Sequence, residues 1–250
     1  MNITFAYGNM SYSADLAAPL DISIPLRHGA DNPSAFCLPA PSFAPFRAGS
    51  FVGATADGGP CNCYTLRLAP HGNGTHTECI GHIAAEPYFL NNCLKKFMAF
   101  TILISVEAVE ISGDRIVTER AVAAALGGRR PEAVVLRTLP NHPEKRTMQW
   151  SGTNPPYLEP GVGTLLAALE IEHLVLDLPS VDKEEDGGEL AAHHAFWRYP
   201  EAPRTAATIT EMAFIPDEIP DGEYLLGFSV MPVESDASPS KPMLYAIRKI

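Results

Sequence analysis

Short apolar runs recur along the whole chain, and each is bounded by glycine, proline, asparagine or aspartate. The runs are rich in β-branched and aromatic residues, which is typical of β-strands. The pattern therefore predicts a protein built mainly on β-sheet. The predicted strands are residues 20–27, 63–69, 99–109, 132–139, 172–179, 206–214, 224–233 and 243–249.

Three segments place apolar residues at helical spacing instead. The first has Thr118 as a candidate N-cap and a glycine pair at its end, and the second follows Pro160. Where helices alternate with strands we expect a parallel sheet, whereas the closely spaced C-terminal strands are expected to pair antiparallel. The predicted helices are residues 117–128, 161–171 and 187–199.

No internal repeat, low-complexity tract or linker divides the sequence. We therefore expect one α/β domain over residues 1–250, rich in strand and built on a mixed sheet. A chain of this length can bury a substantial core. No apolar run approaches the roughly 18 residues that a membrane-spanning helix needs, so none is expected.

Acidic residues outnumber basic ones, 29 against 18, and the formal net charge is −11. Such a surface repels nucleic acid phosphates and anionic lipid, so neither nucleic acid nor a membrane is an expected partner. The N-terminus lacks a basic region followed by an apolar stretch, which predicts a cytoplasmic protein without a secretory signal. The five cysteines do not indicate a disulfide framework, and we expect buried, reduced thiols.

Residues 71–82 hold three of the chain's eight histidines and one glutamate. Alternate side chains share a face on an extended strand. His76, Glu78 and His82 therefore point to one side if the strand continues between them. His71 is out of phase by one residue, and the glycines that follow it can supply a bulge or tight turn that brings it back.

Imidazoles and a carboxylate that converge on one point suit a divalent first-row cation such as zinc or manganese. Further ligands have to come from elsewhere in the chain. His193 and His194 follow an acidic loop, and Glu211 lies in a predicted strand. The alternative interpretation is a set of separate structural histidines beside a solvated acidic loop.

Three segments, in this order, resemble the cyclase family of metal-dependent hydrolases, whose better-known members are the bacterial kynurenine formamidases and the isatin hydrolases. The segments are HGNGTHTECIGH (71–82), LDLPSVD (176–182) and AAHHAFW (191–197). The family hallmark is His-x-Gly-Thr-His-x-Asp-x-Pro-x-His, followed much later by Asp-x-Pro-Ser-x-Asp, a histidine and a glutamate. The resemblance covers most of the chain.

This resemblance implies a fold of the β/β/α swivelling type and a homo-oligomer, in which the proline-containing residues 1–60 can pack on a neighbouring subunit. It also implies one or two divalent ions, zinc in the first place and manganese as the alternative. His82 matches the histidine proposed as proton donor in the family. The metal ligands that the resemblance implies are His76, Glu78, His193 and Glu211.

The sequence departs from the family pattern at three positions. Gly72 stands where the family has its first ligand, four residues before His76, so His71 has to replace that ligand. Glu78 stands in place of the family's aspartate and extends the carboxylate by one methylene. Ile80 replaces the proline. These departures leave the number of metal ions open.

The resemblance implies hydrolysis of an amide or cyclic amide C–N bond, as in an arylformamidase, with a small-molecule amide or lactam as substrate. A metal-activated water would attack the carbonyl carbon, and His82 would protonate the leaving nitrogen. Trp150, Tyr157 and Phe196 are candidates for contact with a flat substrate, although each is equally typical of a core or interface residue.

Two other functions compete with this hypothesis. A metal- or ligand-binding protein without turnover would retain the same fold and the same cluster of histidines. A serine hydrolase is disfavoured, because the sequence contains no Gly-x-Ser-x-Gly motif.

Overall fold

The computed structural model describes residues 1–250. Its strands are β1 (Asn2–Tyr7), β2 (Met10–Asp15), β3 (Leu20–Asp21), β4 (Ser42–Pro45), β5 (Arg47–Ala48), β6 (Phe51–Val52), β7 (Tyr64–Arg67), β8 (His76–Cys79), β9 (Met98–Glu107), β10 (Val109–Ile111), β11 (Asp114–Val117), β12 (Ala133–Leu139), β13 (Tyr157–Leu158), β14 (His173–Leu176), β15 (Thr208–Glu211), β16 (Gly222–Gly227), β17 (Ala237–Pro239) and β18 (Met243–Lys249). The helices are α1 (Pro70–Asn73), α2 (Leu90–Cys93), α3 (Glu119–Leu126), α4 (Pro160–Ala168) and α5 (Ala191–Trp197). Three short 3₁₀ turns cover Thr55–Asp57, Ile80–His82 and Pro143–Arg146.

Eleven strands form one mixed sheet in the order β1-β2-β18-β16-β9-β12-β14-β15-β8-β17, with β3 beside β18. The four central strands β9, β12, β14 and β15 are parallel, and the strands on either side of them are antiparallel. The predicted α/β fold with a mixed sheet is therefore confirmed. The parallel centre follows from the alternation of strands and helices along the chain.

The central strands are buried on both faces, which explains why they read as continuous apolar runs rather than as alternating ones. Val134 and Leu136 on β12 pack on one side with residues of the three longer helices. Ala133 and Val135 pack on the other side, against Ile215 and its neighbours. The main core thus lies between the sheet and the helices α3, α4 and α5.

Helix α3 shows how local sequence sets an element's ends. The Thr118 hydroxyl accepts a hydrogen bond from the Ala121 backbone N–H at 3.3 Å, as an N-cap does. Gly127 ends the helix with φ 58°, a left-handed conformation that glycine adopts without strain. The helix predicted over residues 117–128 is therefore confirmed, with bounds trimmed to Glu119–Leu126.

Two expectations differ from the structure, and two of its features were not predicted. Residues 20–27 form only the two-residue strand β3, and the N-terminal hairpin β1–β2 was not predicted. Strand β17 was not predicted either, and it pairs with β8 because the chain crosses the sheet before it. Three cysteines are exposed, contrary to the expectation of buried thiols; these are Cys37, Cys61 and Cys63.

Residues 42–67 form two small ladders, β4 with β7 and β5 with β6, outside the main sheet. Several apolar side chains here are about half exposed, namely Phe46, Tyr64 and Leu66. Packing of this region on a neighbouring subunit stays a prediction. No helix in the structure has both the length and the apolar character needed to cross a membrane.

A buried ion pair joins the ends of β12 and β14. The Asp177 carboxylate, which follows β14, accepts hydrogen bonds from the Thr138 backbone N–H at 3.0 Å and from Lys145 Nζ at 2.7 Å. Burial raises the pKa of Asp177, and Lys145 and Thr138 offset part of that effect. Each buried charge therefore depends on the other for compensation.

Lys145→Met is expected to destabilise the fold by about 3–5 kcal/mol, because it leaves the Asp177 carboxylate buried without its cation. The double variant Lys145→Met/Asp177→Asn should recover part of that loss, measured as the free energy of unfolding in urea. Lys96→Met is the control, since Lys96 pairs with Glu132 at 3.2 Å and Glu172 at 2.8 Å but is about half exposed. Its loss should stay below about 1 kcal/mol, and equal losses for the two lysine variants would contradict the argument.

Candidate metal centre

Two neighbouring strands supply the floor of the site. His76 and Glu78 lie on one face of β8, whereas Thr77 points to the other face and bonds the Thr210 hydroxyl. The antiparallel register of β8 and β15 sets Glu211 directly opposite His76. Residues opposite each other across two strands have side chains in contact distance, so His76 Nε2 and Glu211 Oε2 lie 3.4 Å apart.

His71 reaches the same place from helix α1. The bulged strand predicted from the sequence is therefore not formed. The helical turn changes the direction of the chain just before β8. Gly72 allows this, because a Cβ atom there would lie 2.6 Å from Leu38 Cδ1 and 2.9 Å from the Ala35 carbonyl oxygen. His71 Nδ1 thereby comes to 3.1 Å from Glu78 Oε2.

His82 enters the site from the 3₁₀ turn that follows β8. The strand stops at Cys79, so the extended path expected between Glu78 and His82 is replaced by this turn. The His82 ring stacks on the His71 ring with centroids 4.4 Å apart, and its Nδ1 lies 3.8 Å from Glu78 Oε2. About a quarter of the His82 side chain is exposed.

His193 approaches from α5 on the far side of the site. Its Nδ1 lies 2.6 Å from Asp182 Oδ2, and its Nε2 lies 3.0 Å from Glu78 Oε1 and 3.8 Å from Glu211 Oε1. Asp182 also accepts the backbone N–H groups of Ala192 and His193 at the start of the helix. His193 is fully buried and its ring orientation is fixed.

The remaining histidine of the predicted pair, His194, stays outside the site. Its Nδ1 bonds the backbone carbonyl of Tyr199 at 3.0 Å. The structure thus brings together seven titratable side chains, which we name the histidine–carboxylate cluster: His71, His76, Glu78, His82, His193, Glu211 and Asp236.

Two polar atoms at the centre of the cluster are buried without a hydrogen-bond partner. His76 Nδ1 donates to the Gly74 carbonyl at 3.0 Å, so its Nε2 carries the lone pair; that atom is buried without a hydrogen bond. Glu78 Oε2 is likewise buried, and its contact with His71 lacks hydrogen-bond geometry. Acceptors that face each other in a buried place need a cation between them. The donor set therefore fits a divalent metal.

Three overlapping groups of side chains have ligand atoms close enough to hold one ion. They are His71 with His76 and Glu78, Glu78 with His82 and His193, and His71 with His82 and Asp236. His71, Glu78 and His82 each belong to two of these groups, so the groups overlap at the centre of the cluster.

The pKa values of the cluster follow from its closely packed opposite charges. Burial lowers the pKa of His71, but Asp236 and Glu78 outweigh it and raise the value to about 10. His193 behaves alike: burial lowers its pKa, and Asp182 and Glu78 raise it to about 10. Burial raises the pKa of Glu78, yet the surrounding histidines hold it well below its usual range. Without metal, protons on His71 and His193 balance the carboxylate charges, and a bound cation would displace those protons.

A cavity of about 350 Å³ opens beside the cluster. His71, His82, His193 and Glu211 form its inner wall. The rest of the wall combines apolar, polar and charged side chains, namely Phe36, Leu38, Ser180, Lys183, Glu184, Asp186 and Leu190. The cluster is therefore accessible to a small molecule.

The three aromatic residues expected to contact substrate do not line this cavity. Trp150 borders a separate pocket with Lys145, and Phe196 is enclosed in the core between helix and sheet. The Tyr157 hydroxyl lies 3.1 Å from an Asp114 carboxylate oxygen. Contact of these residues with a substrate stays a prediction, and Phe36 is the aromatic residue that the cavity presents instead.

Sequence reasoning missed Asp236. It lies 165 residues beyond His71 in the chain, and its Oδ2 is 2.8 Å from His71 Nε2 and 3.5 Å from His82 Nδ1. No motif marks it, because only the pairing of β17 with β8 brings it to the site. Asp182 carried a signal, as the last residue of the Asp-x-Pro-Ser-x-Asp segment, but its bond to His193 is visible only in the structure.

Comparison with known families decides the classification. The family model Cyclase, described as "Putative cyclase", matches residues 14–183, more than half of the chain. The chain belongs to the cyclase family. The family match includes both the segment of residues 71–82 and the Asp-x-Pro-Ser-x-Asp segment.

Several solved structures share the fold at low sequence identity. A structure described as a "potential metal-dependent hydrolase with cyclase activity" superimposes with a TM-score of 0.67 at 16% identity, covering 91% of this chain and 97% of the other. An isatin hydrolase bound to the product analogue thioisatinate gives 0.67 at 15% identity and 92% coverage of both chains. Isatin hydrolase A from Labrenzia aggregata gives 0.65 at 14%, covering 92% and 93%. A comparison with proteins of curated function gives no significant match.

Proposed function

We propose that this protein is a metal-dependent hydrolase that cleaves the C–N bond of a small amide or cyclic amide. The observation that carries the proposal is the buried His76 Nε2, which has no hydrogen-bond partner and faces Glu211 Oε2 at 3.4 Å, together with the equally unpartnered Glu78 Oε2. Membership of the cyclase family and the likeness to isatin hydrolase structures support the same reaction class.

The metal would be held by side chains from four different parts of the chain. His76 and Glu211 face each other across β8 and β15, and His193 is held in place by Asp182. We propose as ligands His71, His76, Glu78, His193 and Glu211. A divalent cation, when bound, lowers the pKa of a coordinated water towards about 7 and polarises a carbonyl oxygen.

His82 is proposed as the proton donor to the leaving nitrogen. It lines the cavity, so a substrate carbonyl placed at the cluster would have its C–N bond within reach of this ring. An amine anion is a very poor leaving group, and histidine is the side chain that exchanges protons most readily near neutral pH. The His71 ring packs on one face of the His82 ring, with the two centroids 4.4 Å apart.

The cavity indicates the size of the substrate and the chemistry of its surroundings. Its volume of about 350 Å³ is near the lower end of the range for small-molecule sites. Phe36, Leu38 and Leu190 supply an apolar surface beside the polar cluster. A small flat molecule such as an aryl formamide or a fused-ring lactam fits these dimensions. An isatin hydrolase of the same fold has been solved with the product analogue thioisatinate bound.

Zinc is the proposed metal and manganese the alternative, because imidazole with carboxylate ligands accommodates both. One ion or two ions that share Glu78 are both compatible with the overlapping groups of side chains. We further propose that the protein is a cytoplasmic homo-oligomer; the exposed apolar side chains of residues 42–67 support this assembly.

Removal of the metal is expected to abolish hydrolysis, and zinc or manganese should restore it. The protein, purified without added chelator, is assayed on aryl formamides, fused-ring lactams and lactones, and its metal content is measured by mass spectrometry. It is then dialysed against a chelator and reconstituted with each metal. Activity that survives complete removal of metal would refute the mechanism.

The same experiment tests the alternative function. Glu78 is one methylene longer than the family's aspartate, and its two oxygens lie 3.0 Å from His193 Nε2 and 3.1 Å from His71 Nδ1. A carboxylate engaged on both sides could close the ligand shell and leave no position for water. Stoichiometric metal without turnover of any substrate would indicate a metal-binding protein.

A further inference from the structure

Each buried or partly buried imidazole proposed as a ligand has one ring nitrogen occupied by an oxygen that is not itself a proposed ligand. The Gly74 carbonyl holds His76 at 3.0 Å, and Asp182 holds His193 at 2.6 Å. Asp236 stands in the same relation to His71, at 2.8 Å from its Nε2. Such outer partners fix the tautomer and the direction of a metal-binding histidine.

The backbone around Asp236 is held on both sides. Its carbonyl oxygen accepts the Cys79 backbone N–H at 3.0 Å, and the Ser235 carbonyl accepts that of Leu90 at 2.8 Å. Asp236 Oδ1 accepts the Ser235 hydroxyl at 3.0 Å, which turns Oδ2 towards the histidines. The carboxylate is therefore positioned by its surroundings and does not follow the His71 ring.

Close approach of this loop to the turn after β8 depends on Gly81. A Cβ atom on Gly81 would lie 2.2 Å from the Tyr88 carbonyl oxygen and 3.3 Å from Asp236 Cβ. The loop and the turn thus pack backbone to backbone. As a result Asp236 Oδ2 also lies 3.5 Å from His82 Nδ1, so one carboxylate oxygen faces two imidazoles.

His71 needs such a partner more than the other two ligands do. It stands five residues before His76, at a position that the family's spacing does not use, and it projects from a helical turn of four residues. About a quarter of its side chain is exposed, whereas His76 and His193 are enclosed. Without a fixed acceptor, the His71 ring could rotate out towards the cavity.

A carboxylate can only accept a hydrogen bond, so the proton between His71 and Asp236 belongs to His71 Nε2. The lone pair of a neutral ring is then on Nδ1, which faces Glu78 and the interior of the cluster. We propose that Asp236 is the positioning residue that makes His71 a metal ligand in this chain and that holds His82 beside it. This inference rests on the proposed metal centre.

Zinc affinity of the full-length protein tests the inference. Asp236→Asn keeps the shape of the side chain but removes its charge, and we expect it to weaken zinc binding by about 10–100-fold in competition with a chromogenic chelator. Glu234→Gln is the matched control, because it removes one negative charge from the same loop at an exposed position. The control should bind zinc as the wild type does, within about twofold.

A double-mutant cycle separates positioning from a general loss of charge. If Asp236 acts through His71, the variant His71→Ala/Asp236→Asn should bind zinc no more weakly than His71→Ala alone. Losses that simply add would overturn the proposal, as would Asp236→Asn binding zinc within about twofold of the wild type.

One measurement uses only the wild-type protein, so it does not depend on whether a variant folds. Long-range ¹H–¹⁵N spectra of the zinc-loaded protein should place the His71 proton on Nε2, and a proton on Nδ1 would overturn the proposal. If the wild-type protein binds no zinc or manganese, the proposed function fails and takes this inference with it. If the wild type binds metal and hydrolyses amides but Asp236→Asn binds zinc as tightly, only the positioning role of Asp236 is refuted.

Discussion

His76→Ala is expected to remove most of the bound metal and to lower kcat/KM by about 10³-fold or more. His76 is fully buried, and its Nε2 has no hydrogen-bond partner within the protein. A neighbouring side chain cannot take its place, because Glu211 is already directed at the same point from across the sheet. Loss of the cation removes several kcal/mol of transition-state stabilisation.

Metal content by mass spectrometry and kcat/KM on the best substrate measure this effect. His194→Ala is the control, because His194 neighbours His193 in the sequence but bonds the Tyr199 carbonyl outside the cluster. It should retain both metal and activity. Stoichiometric metal in His76→Ala, with activity intact, would show that the ligands lie elsewhere.

The sequence predicted secondary structure best where the hydrophobic periodicity and the capping residues indicate the same element. The buried strand β12 and the capped helix α3 were predicted within two residues at each end. The parallel centre of the sheet followed from the order of strands and helices. These features depend on residues close together in the chain, so one sequence contains the information that fixes them.

The proximity of the proposed metal ligands could be predicted from the sequence, but the backbone that brings them together could not. The grouping of histidines with Glu78 and Glu211 came from a family motif, whereas the contact of His76 with Glu211 comes from the register of β8 against β15. Register between strands more than 130 residues apart depends on the packing of the whole sheet. The position of Asp236 depends likewise on β17, which pairs with β8 from far along the chain.

In residues 71–82 the predicted side chains do lie together, but the backbone that carries them differs from the predicted one. Periodicity of two predicted an extended strand with a bulge, because it treats every residue as part of one element. The chain instead forms α1, then β8, then a 3₁₀ turn, and each delivers one or two side chains to the cluster. The glycines made the correct paths possible, but glycine permits many conformations and does not select one.

His82→Ala is expected to leave metal content unchanged and to lower kcat by about 10²–10⁴-fold, the usual contribution of a general acid. The reduction should be largest for amides whose leaving amine is most basic, because those depend most on protonation. The distances support this separation of roles: His82 Nδ1 lies 3.8 Å from Glu78 Oε2, whereas His193 Nε2 approaches Glu78 Oε1 to 3.0 Å.

A series of substituted anilides measures the effect as the slope of log kcat against the pKa of the leaving amine. The wild type should show a shallow slope and His82→Ala a steep one, with the two lines converging for the best leaving groups. His82 also belongs to two groups of side chains able to hold an ion, so metal content decides between the roles. A His82→Ala protein that loses its metal along with its activity would identify His82 as a ligand, because a proton donor can be removed without emptying the site.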